Sequence, residues 1–141
     1  MDANGPVTSG DLFFFYGLLK QGAAGMPVHI DLDAAGEFLG PARVRGRLYN
    51  LGSYPGIVSG DGLVQGVLYR LNDTALMPLL DEFEDVIPAD PKRSLYYRGR
   101  TDVLDQDGAA TGEKAWVYWF NRPVTRYHRI ADDNWPLNGG A

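Results

Sequence analysis

Four acidic residues crowd the end of a predicted helix, and they are the side chains in this sequence best suited to proton transfer. They lie in the stretch Leu80-Asp81-Glu82-Phe83-Glu84-Asp85. Since residues three and four apart are neighbours on a helix, Leu80 and Glu84 share a face, whereas Asp81 and Glu82 are predicted to point away. A carboxylate turned toward an apolar interior has a raised pKa, which makes it a better proton acceptor near neutral pH. The alternative is a solvated acidic turn, and the spacing leaves both interpretations open.

A second stretch could bind an anion through its backbone. Leu12 to Tyr16 are all apolar or aromatic and predict a buried strand, and Gly17 follows directly. Because glycine adopts backbone angles that are closed to other residues, the amides after it can turn toward one ligand. Gly17 therefore indicates either an anion cradle or an ordinary strand end.

Other constellations predict structure more than chemistry. The run Asp105-Gln106-Asp107-Gly108 is typical of a hairpin turn, because it lacks the remaining ligands of a calcium loop. His29 and His128 have no partner at metal-ligand spacing, and no serine lies in a nucleophile-elbow context. We therefore predict no metal site and no nucleophilic serine, and we expect both histidines to be surface or packing residues.

One helix positions the acidic cluster. It is predicted to begin at the N-cap candidates Asn72 and Asp73 and to run to Phe83, with Leu76, Leu79, Leu80 and Phe83 on its buried face. Pro78 lacks the N–H that a helix interior needs, so it must either lie near the first turn or kink the helix.

Short strands and turns make up the rest of the predicted domain. The apolar run Ala115–Phe120 predicts a central strand that is buried on both faces. Short, bent strands are predicted around 39–49, 63–69 and 96–104, with turns at 55–56, 60–62 and 107–108.

Composition narrows the class of protein. The 141 residues suit one domain, which we place at 11–136 between flexible tails at 1–10 and 137–141. With 13 basic against 18 acidic residues, the chain has no basic face for nucleic acid, and without cysteine it has no thiol chemistry. The start does not resemble a signal peptide, and no apolar run approaches the roughly 20 residues that cross a bilayer. We expect a cytoplasmic protein that does not bind membranes.

Several motifs in a fixed order resemble the γ-glutamylcyclotransferase-like family, which includes AIG2-like and γ-glutamylamine cyclotransferase-like proteins. The resemblance covers about Leu12 to Trp135. It rests on Tyr16-Gly17-Leu18-Leu19, Gly46-Arg47-Leu48-Tyr49, Tyr54-Pro55-Gly56, Leu80-Asp81-x-x-Glu84, Leu95-Tyr96-Tyr97-Arg98 and Ala115-x-x-Tyr118, the second and fifth being typical of bacterial members. It implies a small single α+β domain with a strongly bent mixed sheet or barrel and flanking helices.

The resemblance also implies an activity, namely release of 5-oxoproline from a γ-glutamyl amine or peptide, with no cofactor. Glu84 matches the family's general acid/base, and the backbone amides of Tyr16, Gly17, Leu18 and Leu19 match the loop that holds the substrate's α-carboxylate. The tyrosines that line or support the family's pocket correspond to Tyr96, Tyr118 and Tyr127.

The sequence departs from the family pattern at two positions. Leu18 replaces the usual Ser or Thr of the loop, which removes a hydroxyl contact but leaves the backbone donors in place. Asp85 replaces the usual Gly and adds a negative charge beside Glu84, so we expect it to raise the pKa of Glu84. The alternative to an enzyme is a binding module of the same fold that holds a small γ-glutamyl metabolite. Neither the leaving amine nor the oligomeric state is indicated.

Overall fold

The computed structural model describes residues 7–16, 32–52, 55–83, 86 and 90–130. These residues form six strands and two short helices. The strands are β1 (Leu12–Phe15), β2 (Gly36–Asn50), β3 (Pro55–Leu71), β4 (Tyr96–Leu104), β5 (Ala110–Phe120) and β6 (His128–Arg129), and the helices are α1 (Leu32–Ala35) and α2 (Met77–Phe83). Turns of 3-10 helix cover Thr74–Leu76 and Pro91–Arg93.

All six strands join one mixed sheet. β1 pairs antiparallel with β3 and parallel with β5, and β3 also pairs antiparallel with β2. β5 pairs antiparallel with β4, and β4 meets β2 where Leu104 lies opposite Arg43. The pairings thus lead from β1 through β3, β2, β4 and β5 back to β1, which requires a strong bend. The predicted α+β fold, a strongly bent mixed sheet with flanking helices, is confirmed.

The β2–β3 hairpin is longer and less regular than the sequence predicts. β2 has 15 residues and β3 has 17, where short separate strands were expected. The predicted turn at 60–62 is wrong, because these residues lie inside β3 at a register shift between Arg45 and Arg47. At that shift Gly46 packs so closely that a Cβ would lie 2.9 Å from the Val58 carbonyl oxygen. A glycine lets the two backbones approach where the ladder is interrupted.

The core fills both faces of the sheet. Alternate residues of β1 and β5 point to opposite sides, so Phe14 and Val117 belong to one apolar cluster and Phe13 and Trp116 to the other. Residues 115–120 are all buried, as predicted for a central strand. The cluster that contains Trp116 also contains Leu80 of α2, which places this helix over that face.

The chain after β5 returns to β2. β6 adds a short antiparallel pairing, in which Tyr49 lies opposite Arg129 and Asn50 opposite His128. The Ile130 amide then donates to the Leu48 carbonyl at 2.7 Å, and its side chain packs on the core. The sequence analysis did not predict β6.

Candidate functional site

The end of β1 is held by the hydroxyl of Tyr16. This hydroxyl donates to the Tyr118 carbonyl at 2.6 Å and accepts from the Ile57 N–H at 3.4 Å. Tyr16 is buried in the cluster of Phe14 and Val117, so its side chain anchors the strand against β5 and β3. Gly17, Leu18 and Leu19, which follow directly, lie outside the described residues.

The predicted cap at Asp73 is found, but it caps a 3-10 turn, and helix α2 itself begins only at Met77. The Asp73 side chain accepts a hydrogen bond from the Ala75 N–H at 3.0 Å, which caps the 3-10 turn that leads into the helix. Pro78 is the second residue of α2. A proline in the first turn costs little, because the N–H that it lacks would have no partner inside the helix.

The buried face of α2 is rotated relative to the prediction. Asp81 was expected to point away from the core, but it is buried, with only 8% of its surface exposed. Glu82 is exposed, as expected. Leu79 is only half-buried, so the face that meets the sheet is centred between Leu80 and Asp81. In a helix of seven residues the apolar positions alone did not fix this angle.

Asp81 binds two partners from the sheet. Arg98 of β4 donates to both carboxylate oxygens, from Nε to Oδ1 at 3.0 Å and from a terminal nitrogen to Oδ2 at 3.2 Å. The Tyr118 hydroxyl donates to Oδ1 at 3.0 Å. The bidentate geometry and the third hydrogen bond compensate the carboxylate for its lost hydration.

Tyr118 thereby connects two segments that are distant in sequence. Its carbonyl accepts from Tyr16, the residue before Gly17, and its hydroxyl donates to Asp81, three residues before Glu84. Glu84 itself follows α2 directly in sequence and lies outside the described residues. One residue of β5 therefore ties together the two described elements that precede the predicted loop and the predicted acid.

Trp116 extends this network along β5. The guanidinium of Arg98 lies 5.7 Å from the Trp116 ring centroid and that of Arg100 lies 4.4 Å from it, both within cation–π range. The indole N–H donates to the Asp11 carboxylate at 3.0 Å. Burial alone raises the pKa of Asp11, but hydrogen bonds from Thr8 and Trp116 and the charge of Arg100 outweigh it, so this pKa lies below its ordinary value.

The other two predicted tyrosines lie around Phe120, at the end of β5. The Tyr96 hydroxyl donates to the Pro55 carbonyl at 2.7 Å. The rings of Tyr96 and Tyr127 meet the Phe120 ring edge-on, with centroids 5.7 and 6.0 Å away. Beside them lies an open groove of about 560 Å³, lined by Leu51, Leu95, Phe120, Arg122, Pro123, Thr125, Arg126 and Tyr127.

The structure thus brings some of the predicted residues together. Tyr16 and Tyr118 are hydrogen-bonded, and Tyr96 and Tyr127 share Phe120 as a neighbour. Sequence reasoning missed Asp81 and Arg98. One signal was present: Arg98 lies two residues after Tyr96 on the same strand face, and a cation on an inward face needs an anion.

Among the described residues, no group of three His, Cys, Asp or Glu side chains could hold a metal ion. The Asp105–Gly108 stretch forms the predicted hairpin turn, in which Asp105 Oδ1 accepts from the amides of Asp107 and Ala109. None of the described helices is long and apolar enough to span a membrane.

Comparison with protein families gives one match over most of the chain. Residues 13–137 match the family model described as γ-glutamyl cyclotransferase, AIG2-like. A Citrobacter rodentium protein, called γ-glutamylcyclotransferase family protein YtfP, is 35% identical over 89 residues, which cover 63% of this chain and 66% of the relative. This chain therefore matches just under two thirds of that relative's length.

Solved structures match the fold. The solution structure of YtfP from Escherichia coli has a TM-score of 0.58 and 31% identity, and the match covers 88% of this chain and 95% of that one. A crystal structure of an AIG2-like protein from Mus musculus has a TM-score of 0.61 and 24% identity, with 86% and 87% covered.

Proposed function

Because the chain belongs to the γ-glutamyl cyclotransferase, AIG2-like family, we propose that it is an enzyme that releases 5-oxoproline from a γ-glutamyl amine or peptide. The α-amine of the substrate attacks its own γ-carbonyl carbon, so that a C–N bond closes the five-membered ring. The bond to the leaving amine breaks. Between the α-ammonium group and the N–H of the ring the attacking nitrogen loses two protons, and both pass to the leaving nitrogen, which departs as an ammonium group. The reaction consumes no water and changes no oxidation state.

Glu84 is the proposed proton carrier. It accepts a proton from the α-ammonium group, which frees the lone pair for attack, and then returns a proton to the departing nitrogen. Because the attack is intramolecular, the remaining task is to hold the substrate in a folded, near-attack shape. The backbone amides of Tyr16, Gly17, Leu18 and Leu19 hold the α-carboxylate for this purpose, and Tyr96, Tyr118 and Tyr127 line or support the pocket.

The observation that carries this proposal is the double attachment of Tyr118. Its carbonyl fixes Tyr16 at the start of the loop, and its hydroxyl fixes Asp81 on the helix that leads to Glu84. A cyclotransferase needs the carboxylate-binding loop and the acid/base in a constant relation, since small displacements of reacting groups are costly. This pair of hydrogen bonds supports that relation from the described side of the site.

The test is 5-oxoproline release from a panel of γ-glutamyl amines and dipeptides. We expect turnover by the wild-type protein and its loss in Glu84→Gln, which keeps the shape of the side chain but cannot carry the proton. Glu82→Gln is the matched control, because Glu82 is exposed on the same helix and its loss should leave turnover unchanged.

Two outcomes would contradict the proposal. Equal turnover by wild type and Glu84→Gln would remove Glu84 from the mechanism. No turnover by wild type, together with calorimetric binding of a γ-glutamyl compound, would indicate a binding module of the same fold.

A further inference from the structure

The groove beside Tyr127 carries positive charge on an otherwise acidic chain. The chain has 13 basic and 18 acidic residues, yet the described residues that line this groove include Arg122 and Arg126 and no carboxylate. The rest of the lining is mainly apolar or aromatic. A small groove with apolar walls and two cations is suited to an organic anion.

Arg122 is held in place by carbonyl oxygens, and no carboxylate of the described residues forms an ion pair with it. One terminal nitrogen donates to the carbonyls of Ser94 and Asn121 at 2.7 and 2.9 Å, and the other donates to the Arg93 carbonyl at 3.0 Å. Carbonyl oxygens satisfy hydrogen-bond donors but carry no net charge. The positive charge of Arg122 is therefore fixed at the groove wall and remains available to attract an anion.

Arg126 is the second cation of the groove. No carboxylate of the described part of the chain lies within ion-pair distance of it. Its planar guanidinium can donate two parallel hydrogen bonds to one carboxylate, a geometry that a lysine cannot offer. Tyr127, the next residue, lines the same groove.

The groove lies next to Tyr118 along β5. Phe120 lines it and lies two residues after Tyr118, on the same strand face, so the two side chains are about 7 Å apart along the strand. Tyr118 contacts Asp81, three residues before Glu84. The distance from Tyr118 to Phe120, two residues along the strand, is about the reach of one amino-acid unit.

We propose that this groove binds the leaving group and selects amines that carry a carboxylate of their own. The inference rests on the proposed function and narrows its substrate class to γ-glutamyl amino acids and γ-glutamyl peptides. The carboxylate of the leaving amine pairs with Arg126, and the positive charge of Arg122 adds to the attraction. A γ-glutamyl polyamine places a cation in the same groove and is disfavoured by like-charge repulsion.

The experiment compares three substrates that differ at one group: γ-glutamyl-alanine, the neutral γ-glutamyl-alaninamide and the cationic γ-glutamyl-putrescine. We expect kcat/KM for 5-oxoproline release to be about tenfold higher for γ-glutamyl-alanine than for γ-glutamyl-alaninamide, a difference that one charge-assisted hydrogen bond can supply. In Arg126→Gln the alanine-to-alaninamide ratio should fall close to one. Arg45→Gln, which removes an exposed arginine of β2 outside the groove, should keep the wild-type ratio.

Failure of this inference can be told apart from failure of the proposed function. Three results would overturn the inference and leave the proposed cyclotransferase activity intact. They are equal kcat/KM for γ-glutamyl-alanine and γ-glutamyl-alaninamide, a higher kcat/KM for γ-glutamyl-putrescine, and a ratio of the first two values that is unchanged in Arg126→Gln. If no substrate yields 5-oxoproline, calorimetric binding of the three compounds to wild type and to Arg126→Gln still tests whether the groove selects a carboxylate. Tighter binding of γ-glutamyl-alanine that depends on Arg126 would support the groove assignment, and equal binding of all three compounds would overturn it.

Discussion

The two ends of the β4–β5 hairpin use the same strand faces in opposite ways. Near the turn, Lys114 and Asp102 form an ion pair at 2.8 Å with side chains 63% and 65% exposed. At the other end, Arg98 and Asp81 form a bidentate pair whose side chains are only 21% and 12% exposed. Arg98 and Asp102 lie on one face of β4, so the two pairs share a strand face but differ in exposure.

The difference lies in where the partners come from. The turn end is built from neighbours, since Asp105 closes its own turn and Lys114 lies directly opposite Asp102. The open end recruits residues that are distant in sequence, with Asp81 37 residues from Tyr118 and Asp11 105 residues from Trp116. An interaction between neighbours joins residues that the hairpin already holds together, whereas an interaction between distant segments fixes how separate elements are assembled.

Asp81→Asn should lower the free energy of unfolding more than any other substitution at the two ends of the hairpin. It leaves the charge of Arg98 unpaired in a largely buried place, so we expect a loss of about 3 kcal/mol in the free energy of unfolding. Urea denaturation, with the midpoint lowered and the slope unchanged, is the measurement. A midpoint equal to that of wild type would show that the pair contributes nothing to assembly.

Tyr118→Phe should have the next largest effect. It removes the hydrogen bond to Asp81 while keeping the carbonyl that binds Tyr16, so we expect about 1 kcal/mol of destabilisation in the same urea assay. Tyr97→Phe is the matched control, because Tyr97 is 41% exposed on the neighbouring strand. An equal shift in both variants would argue against a specific role for the Tyr118 hydroxyl.

The contribution of Asp11, which accepts a hydrogen bond from Trp116, should make the stability of the protein depend on pH. Its pKa is lowered in the folded protein, so its contribution to stability is present above the unfolded pKa of about 3.9 and is lost as pH falls through the lower folded value. We therefore expect the stability gap between wild type and Asp11→Asn to narrow as pH falls from 5 to about 2.5. Urea midpoints measured across this range test it, and a constant gap would contradict it.

Asp102→Asn should have the smallest effect. An exposed ion pair is worth at most about 0.5 to 1 kcal/mol at low salt and less as salt screens it. We expect a change in the free energy of unfolding within about 0.5 kcal/mol, which disappears in 0.5 M salt. A loss as large as that of Asp81→Asn would erase the distinction between the two ends.

Local signals in the sequence were sufficient for several elements. The cap at Asp73, the hairpin turn at Asp105–Gly108 and the buried strand 115–120 are all found as predicted. Each depends on residues within one or two turns of chain, where propensity and periodicity apply.

Features that depend on distant contacts were not predicted. The direction of Asp81 depends on Arg98 and Tyr118, which α2 meets only in the folded chain. The continuity of β3 through 60–62 depends on the close approach of Gly46 on the neighbouring strand. The glycines at 60 and 62, taken with their sequence neighbours alone, predict a turn instead. The roles proposed for Glu84 and the Gly17–Leu19 loop stay predictions from family membership.

The parallel pairing of β1 with β5 has a consequence for biosynthesis. Phe13 lies opposite Trp116, so β1 leaves the ribosome well before β5 and finds this neighbour only after the chain between them has been made. Contacts between such distant positions slow folding, because the intervening chain must be ordered before they form. Until then Phe13, Phe14 and Phe15, which are buried in the folded protein, lack the cover that β5 provides, and exposed apolar surface of this kind favours aggregation.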